Sequence, residues 1–335
     1  MNGPAAPTLS ILIPCYNESA VLPLLKPRLQ QSLDALGISW EVVFVDDGSR
    51  DSTFQQLAQI HRDDPRFKVI GLSRNFGHQA ALCAGLAQVA GDFVAVLDAD
   101  LQDPPELLGR CLEKLREGFD VVYAIRTKRK ESFFKRAAYA AFYRLLRTIA
   151  EVEIPLDSGD FCVLRRNVVE AMRTLPERNV FLRGLRAWSG FRQVGLEYER
   201  QARAAGETKY PFKRLVRLAT DGVFAFSTAP LRLATWIGFG GVLIALALGF
   251  FILAWRFGGF HFMGHTAQEL PGWTAVVCLV LFLGGVQFLI LGVLGEYIGR
   301  IYAEVKRRPR WIVKEALGWN LADVTDRDAR TQNSK

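Results

Sequence analysis

Residues 8 to 125 alternate between short apolar runs and longer amphipathic stretches. The apolar runs are rich in β-branched and aromatic residues and predict strands in TLSILIPCYN, WEVVFVDDGS, RFKVIGLS, DFVAVLDADL and FDVVYAIR. The stretches between them, such as STFQQLAQIHRD and PELLGRCLEKLREG, have helical periodicity. Alternating strands and helices predict an α/β fold with a mainly parallel sheet covered by helices on both faces. Ligands of such sheets bind beyond the carboxyl ends of the strands.

Two longer apolar segments follow nearer the C-terminus. No charged residue occurs between Arg232 and Arg256, or between Glu269 and Glu296. Each segment predicts a helix of roughly 35–39 Å, enough to cross a hydrocarbon core of about 30 Å. Lys and Arg are frequent before the first segment and after the second, but the connecting stretch has none beyond Arg256. The positive-inside rule therefore predicts two transmembrane helices with both termini in the cytoplasm.

These segments divide the chain into three predicted parts. They are an α/β domain with interfacial helices at 1–230, a two-helix transmembrane hairpin at 231–298 and a basic cytoplasmic tail at 299–335. The polar composition of the tail from about Gly318 favours disorder. The opening MNGPAAPTLS lacks the pattern of a signal peptide, which also favours a cytosolic α/β domain.

The composition limits the classes of function. The net charge of +8 suits an anionic partner, and the basic residues concentrate at the membrane flanks, which argues against nucleic-acid binding. The five cysteines show no CxxC or Cys/His spacing, which argues against a zinc site or a disulfide scaffold. The chain has no G-x-G-x-x-G or Walker A motif, which argues against a dinucleotide-binding protein and against a P-loop protein.

Polar residues cluster where four of the predicted strands end. They are Pro14, Tyr16, Asn17 and Glu18 after the first strand, Asp46 and Asp47 after the second, Arg74 after the third, and Asp98, Ala99, Asp100, Gln102 and Asp103 after the fourth. Carboxylates this close repel one another unless a cation lies between them, and a divalent ion shared with a phosphorylated substrate is one explanation. The other explanation is a solvated loop whose Asp residues cap the helix opened by Pro104 and Pro105.

The motifs P-x-Y-N-E, DDGS-x-D-S-T, R-N-F-G and D-A-D-L-Q-D-P-P-E together resemble those of family 2 glycosyltransferases with the Rossmann-like GT-A fold. The resemblance is closest to the polyprenyl-phosphate glycosyltransferases, which include dolichol-phosphate mannose synthases and bactoprenol glucosyltransferases. It continues through SGDFCVLRR, RAAGETKYPF and LGEYIGRIYAEVKRRP and so covers nearly the whole chain.

The resemblance implies roles for individual residues. Asp98, Asp100 and Gln102 would hold Mg²⁺ or Mn²⁺. The residues expected to bind a nucleotide-sugar are Pro14, Tyr16, Asn17, Glu18, Asp46, Asp47, Arg74, Asp98, Ala99 and Asp100. The residues expected at the acceptor phosphate are Arg126, Arg136, Arg203 and Lys209. Asp157 or Asp160 would act with Arg126 in catalysis, with a preference for Asp157. Two roles stay open for Asp103, one in the metal site and one as a helix cap. The family often has a serine where this chain has Tyr139 and Ala140, which puts that contact in doubt.

The implied reaction transfers a sugar from UDP-glucose or a similar donor, or from GDP-mannose, to undecaprenyl phosphate or another polyprenyl phosphate with inversion. A processive polysaccharide synthase is an alternative, although its Q-x-x-R-W motif is absent, since Arg307 precedes Arg310-Trp311 by three residues. A non-catalytic scaffold that binds sugar-lipids is another, although Asp98, Asp100 and Gln102 are all present. The glycine-rich spans would also suit close packing in a homo-oligomer.

Overall fold

The computed structural model describes residues 6–127, 158–175, 182–199, 229–258 and 272–333. The chain divides into two units. We call residues 1–218 together with 308–335 the α/β unit, and residues 219–307 the apolar unit.

The α/β unit contains one mixed sheet. Its strands are β1 (Leu9–Cys15), β2 (Trp40–Asp46), β3 (Phe67–Leu72), β4 (Phe93–Val96), β5 (Val121–Thr127), β6 (Ser158–Arg165), β7 (Gln193–Glu199) and β8 (Val313–Leu317). Their order in the sheet is β7-β5-β6-β4-β1-β2-β3-β8. Strands β6 and β8 are antiparallel to their neighbours, and the other strands run parallel. The predicted α/β fold with a mainly parallel sheet is confirmed.

Helices cover both faces of this sheet. They are α1 (Leu22–Asp34), α2 (Thr53–Asp63), α3 (His78–Gln88), α4 (Leu108–Arg116), α5 (Arg166–Arg173) and α6 (Leu182–Trp188), and the C-terminal α9 (Leu321–Asn333) belongs to the same unit. Every residue of β1 and β2 is buried, which explains why these strands are continuous apolar runs rather than alternating ones.

Successive strand residues point to opposite faces and build two apolar layers. Ile11 and Phe44 belong to the layer that packs against α1, α2 and α4, whereas Leu12 and Val45 belong to the layer under α3, α5 and α6. Helix α3 approaches the sheet closely at Gly85, where an added Cβ would lie 2.0 Å from Leu12 Cδ1. A glycine is therefore needed for α3 to reach its place beside the candidate site.

The C-terminal residues 308–333, which we call the C-terminal strap, fold onto the α/β unit. Strand β8 pairs with the edge of β3, and Val324 on α9 is fully buried. Trp311, just before β8, is only 1% exposed. The expectation of disorder from Gly318 onward is therefore wrong, because a few buried side chains and one strand pairing order an otherwise polar sequence.

The apolar unit contains α7 (Ala229–Gly258) and α8 (Gly272–Val305). By length and composition, both helices are long and apolar enough to cross a membrane, over Leu233–Phe251 and Phe282–Gly299. Large apolar side chains such as Phe250 and Phe288 are exposed along them. Such surfaces are typical of helices that face lipid rather than a protein core.

Candidate active site

The polar residues predicted to form a site lie along one edge of the sheet. Parallel pairing places Cys15 of β1 beside Asp46 of β2, and Asp46 beside Gly71 of β3. Strand β4 is parallel to β1, and the Leu97 N–H that follows it donates to the Leu12 carbonyl. The loops after all four strands therefore leave the sheet at the same edge, as predicted.

Asp47 organises this edge. Its carboxylate accepts hydrogen bonds from the backbone N–H groups of Phe76 and Gly77, at 2.7 and 2.9 Å, and its own N–H donates to the Cys15 carbonyl at 2.8 Å. Burial raises the pKa of Asp47, although the two N–H donors oppose the rise. Asp47 thus links the loop Ser73–Gly77, which follows β3, to the ends of β1 and β2. Its predicted contact with a donor remains a prediction.

Asp46 is held differently. It is 4% exposed, and its Oδ2 accepts from the Ser49 N–H at 3.3 Å. Its Oδ1 is buried and has no hydrogen-bond partner among the described residues. Burial raises the pKa of this carboxyl group. A buried acceptor oxygen without a partner is costly, so this atom suits an N–H or O–H donor from a bound nucleoside.

The loop after β1 is fastened to the loop after β2. Asn17 has a left-handed backbone, with φ of 55°. Its N–H donates to Ser49 Oγ at 2.9 Å, and its side-chain oxygen accepts from the Arg50 N–H at 2.8 Å. The Glu18 N–H donates to Thr53 Oγ1 at 2.9 Å. The Asn17 side chain therefore shapes the loop.

Two other predicted donor residues near this loop differ in exposure. Tyr16 is 41% exposed at the same edge. Pro14 is buried within β1, opposite Val45. Of the two, only Tyr16 presents a large accessible side chain.

Arg74 lies in the loop Ser73–Gly77 and is exposed. Its guanidinium stacks over the Phe76 ring at 4.0 Å, and its Nη1 donates to the Asn75 carbonyl at 3.0 Å. Gly48 lies directly against the backbone of Arg74, since a Cβ added at Gly48 would lie 2.4 Å from the Arg74 carbonyl carbon. Gly48 also has a φ of 66°, which favours glycine.

The segment after β4 carries the acidic cluster. Asp100 Oδ1 accepts from the Gln102 N–H at 3.1 Å, Leu101 has a φ of 58°, and Ala99 is buried. Burial raises the pKa of Asp98 to about 6, with further contributions from nearby carboxylates such as Asp160. The carboxylates of this cluster therefore repel one another.

Asp103 belongs to the structural support of this segment. It is 1% exposed and accepts a hydrogen bond from the hydroxyl of Tyr198 on β7. The short 3₁₀ helix Pro105–Leu107 that follows has Pro104 at its N-cap and no side-chain cap. The helix-cap explanation for Asp103 is therefore wrong, and its carboxylate ties the segment to β7.

The donor set of Asp98, Asp100 and Gln102 fits a hard divalent cation. Among the described residues, no group of three His, Cys, Asp or Glu side chains is placed to hold a metal. Two carboxylates and an amide oxygen are nevertheless suitable ligands for Mg²⁺ or Mn²⁺ when substrate phosphates and water complete the shell. A cation here would also offset the repulsion that contributes to the raised pKa of Asp98.

Sequence reasoning missed two residues that meet at Asp160. His78 Nε2 lies 3.2 Å from Asp160 Oδ2 and 3.8 Å from Asp98 Oδ1, and Arg183 Nε donates to Asp160 Oδ1 at 2.7 Å. Burial opposes ionisation of Asp160, but His78 and Arg183 outweigh it and hold its pKa well below the usual range. Burial likewise opposes the charged form of His78, yet its hydrogen bond to Asp160 and the charge of Asp98 give a net rise in its pKa.

This arrangement makes Asp160 a fixed anion with two partners. His78 directly follows the R-N-F-G motif, so its position beside that motif was the available signal. Arg183 lies outside the motifs quoted above, so no motif pointed to it.

The remaining predicted residues are not placed in this arrangement. Asp157, Arg136, Arg203 and Lys209 lie outside the described residues. So does the stretch ESFFKRAAYAAFYRLLRTIA at 131–150, whose interleaved basic and aromatic residues predict one of the interfacial helices. Arg126 is in β5, paired in register with Tyr198 of β7, and nothing is described of its side chain. Their roles stay predictions.

The comparisons with known proteins decide the family. The model of "Glycosyl transferase family 2" matches residues 10–173. A Bacillus subtilis protein described as the uncharacterized glycosyltransferase YkcC is 44% identical over 92% of this chain and 94% of its own length. The chain belongs to glycosyltransferase family 2. Its mainly parallel sheet and its acidic strand-end cluster agree with the GT-A fold class expected from the motifs.

Two further proteins are similar to this chain. The SfII prophage-derived bactoprenol glucosyl transferase of Shigella flexneri is 38% identical over 92% of this chain and 98% of its own length. Among solved structures, the mannosyltransferase PcManGT from Pyrobaculum calidifontis, in complex with GDP-Man and Mn²⁺, aligns over 88% of each chain with 16% identity and a TM-score of 0.45.

Proposed function

We propose that this family 2 glycosyltransferase transfers a sugar from a nucleotide-sugar to a polyprenyl phosphate. The observation that carries the proposal is the acidic edge formed by buried Asp46 and half-buried Asp98 and Asp100, in a chain with two helices apolar enough to span a membrane. The similarity to a bactoprenol glucosyl transferase over nearly the full length of both chains supports a lipid-phosphate acceptor, with undecaprenyl phosphate as the first candidate.

The donor would lie along the edge from β2 to β4. Asp46 Oδ1 would accept a hydrogen bond from the base or ribose, which fits either UDP or GDP. The guanidinium of Arg74 is suited to phosphate oxygens because its planar fork bonds them in pairs. Asp98, Asp100 and Gln102 would hold Mg²⁺ or Mn²⁺, which when bound neutralises charge on the leaving diphosphate.

The acceptor needs little activation. A polyprenyl phosphate is already an anion at neutral pH, so one of its oxygens forms the bond to the anomeric carbon directly. The bond from that carbon to the diphosphate breaks in the same step, and the electron pair leaves with the nucleoside diphosphate. Such a single displacement inverts the anomeric configuration, and catalysis then depends on positioning and charge stabilisation.

Asp160 is too firmly paired with His78 and Arg183 to serve readily as a base, which leaves Asp157 as the preferred candidate for orienting the acceptor. The proposed location is the inner membrane, with two spans and with the α/β unit and both termini in the cytoplasm. In this topology the acidic edge would lie on the cytoplasmic side of the membrane, where the nucleotide-sugar is present.

A transfer assay tests the proposal. Full-length protein in membranes or detergent is incubated with undecaprenyl phosphate, Mg²⁺ or Mn²⁺, and a panel of radiolabelled UDP- and GDP-sugars. We expect label from one donor to enter the organic phase, and we expect EDTA and Asp100→Ala to abolish it. Asp63→Ala is the matched control, because it removes a surface carboxylate that pairs with the side chains of Lys26 and Gln59.

Three outcomes separate the alternatives. A single sugar per lipid phosphate supports the proposed reaction and names the donor. A polymer would favour a processive synthase. Binding of nucleotide without transfer from any donor would contradict the proposal and favour a non-catalytic scaffold.

A further inference from the structure

One continuous piece of chain brings several residues to the proposed donor site. It comprises β3, the loop Ser73–Gly77 and α3, and we call it the donor segment. Its loop carries Arg74, and the first residue of α3 is His78, which contacts Asp160. Asp47 and Gly48, which follow β2, hold the loop from one side.

The C-terminal strap holds the donor segment from the other side. Strand β8 pairs with β3 from Val69↔Leu317 to Leu72↔Val313. The pairing continues past the end of β3, because the Ser73 N–H donates to the Ile312 carbonyl at 2.9 Å. The strap therefore reaches the first residue of the donor loop.

Two further contacts fix the strap on the same segment. Trp311 is buried in the apolar layer that also contains residues of α3. At the far end of α3, Gln88 Nε2 donates to the Val324 carbonyl at 3.2 Å and to Asp328 Oδ1 at 3.0 Å. The side chain of Gln332 accepts from the Arg310 N–H at 2.7 Å, which closes the strap on itself. The strap thus contacts the strand and the helix of the donor segment and the first residue of its loop.

We propose that the C-terminal strap is a positioning element for binding of the nucleoside diphosphate, with Trp311 as its principal anchor. This inference rests on the proposed function, since it assumes that the donor binds beside the loop Ser73–Gly77. Docking of the strap and binding of the donor both favour one arrangement of the same loop. The two equilibria are therefore coupled, and by linkage each must strengthen the other.

The test compares full-length variants by calorimetric binding of UDP and GDP in the presence of Mn²⁺. Trp311→Phe leaves a gap beside α3, and Val324→Ala loosens α9 more gently. We expect each to raise the Kd of the nucleotide, by roughly fivefold or more for Trp311→Phe, as is typical of coupled sites. The KM for polyprenyl phosphate should stay unchanged. Asp326→Ala, on the exposed face of α9, should bind nucleotide like the wild type.

Hydrogen exchange supplies a readout that a purely structural role would not move. In the wild-type protein, saturating nucleotide should slow amide exchange in β8 and α9, and the Trp311→Phe variant should exchange faster at Phe76 and Gly77 but not in β1. The effect of nucleotide on amide exchange in the wild-type strap tests the positioning role even where a variant fails to fold.

The outcomes separate the two proposals. Variants that lose stability but keep the wild-type Kd, or strap exchange that nucleotide leaves unchanged, would overturn the positioning role while the transferase stands. A wild-type protein that binds neither nucleotide and transfers no sugar would overturn the proposed function, and the positioning role with it.

Discussion

Replacing Asp328 by asparagine should stabilise the α/β unit at neutral pH. Asp328 lies on α9, is 6% exposed and accepts a hydrogen bond from Gln88 Nε2 at 3.0 Å. Burial raises its pKa from 3.8 to about 6. Gln88 Oε1 is also buried and has no hydrogen-bond partner among the described residues. An amide at position 328 removes the buried charge, keeps an acceptor for Gln88 Nε2 and supplies a donor suited to Gln88 Oε1.

The magnitude and its pH dependence follow from proton linkage. A carboxyl group with a raised folded-state pKa binds its proton more tightly in the folded chain, so stability is greatest at low pH and falls as pH rises towards 6. The raised pKa of Asp328 then costs about 1 kcal/mol of stability at pH 4.5, where the folded chain keeps a proton that the unfolded chain has mostly released, and about 3 kcal/mol at pH 8, where the buried group is ionised. Asp328→Asn should recover up to these amounts, with the larger gain at pH 8.

The assay is urea unfolding of the full chain in detergent, followed by the fluorescence of buried tryptophan at both pH values. Asp326→Asn, an exposed carboxylate on the same helix, is the control and should change stability little. An equal gain at both pH values would refute the titration of Asp328 as the cause. No gain at pH 8 would refute the burial of an unfavourable charge altogether.

Substitutions at three further positions probe the site. Asp47→Ala removes the acceptor of two half-buried backbone N–H groups and should cost about 2–4 kcal/mol, whereas Asp47→Asn should cost less; urea unfolding measures both. Gly48→Ala forces a Cβ against the backbone of Arg74 at a positive φ and should weaken UDP or GDP binding in calorimetry, and unchanged affinity would contradict the support assigned to Gly48. Tyr198→Phe removes the donor to Asp103 and should cost about 1–3 kcal/mol, with transfer still metal-dependent; a loss of metal dependence would instead place Asp103 in the metal site.

The sequence predicts the centre of the sheet better than its edges. Strands β1 to β4 are buried on both faces, so each is an apolar run that a local pattern reveals. Strand β8 has the sequence VKEAL, with two charges in five residues, and forms because the edge of β3 offers backbone partners. A pairing between positions so far apart leaves no periodic signal in either segment.

The same distinction applies to the candidate site. Strand ends locate the acidic edge, because the topology alone brings them together. The sequence does not show which side chains are available to a ligand. The side-chain oxygens of Asp47 and Asn17 accept hydrogen bonds from backbone N–H groups of neighbouring loops. His78 and Arg183 reach Asp160 from positions 82 and 23 residues away, so only the folded chain reveals that cluster.

The pairing of β8 with β3 also sets an order for biosynthesis. Gln88 and Asp328 are 240 positions apart, and both long apolar helices are encoded between them. As the chain leaves the ribosome from its N-terminus, the edge of β3 stays unpaired with β8 until both apolar helices have been made. An uncovered edge strand is a template for aggregation, and covering it late exposes the nascent chain to that hazard during synthesis. A complete sheet therefore requires that both apolar helices have been translated. A chain truncated before β8 keeps the edge of β3 exposed, and chaperones and proteases act on such exposed edges.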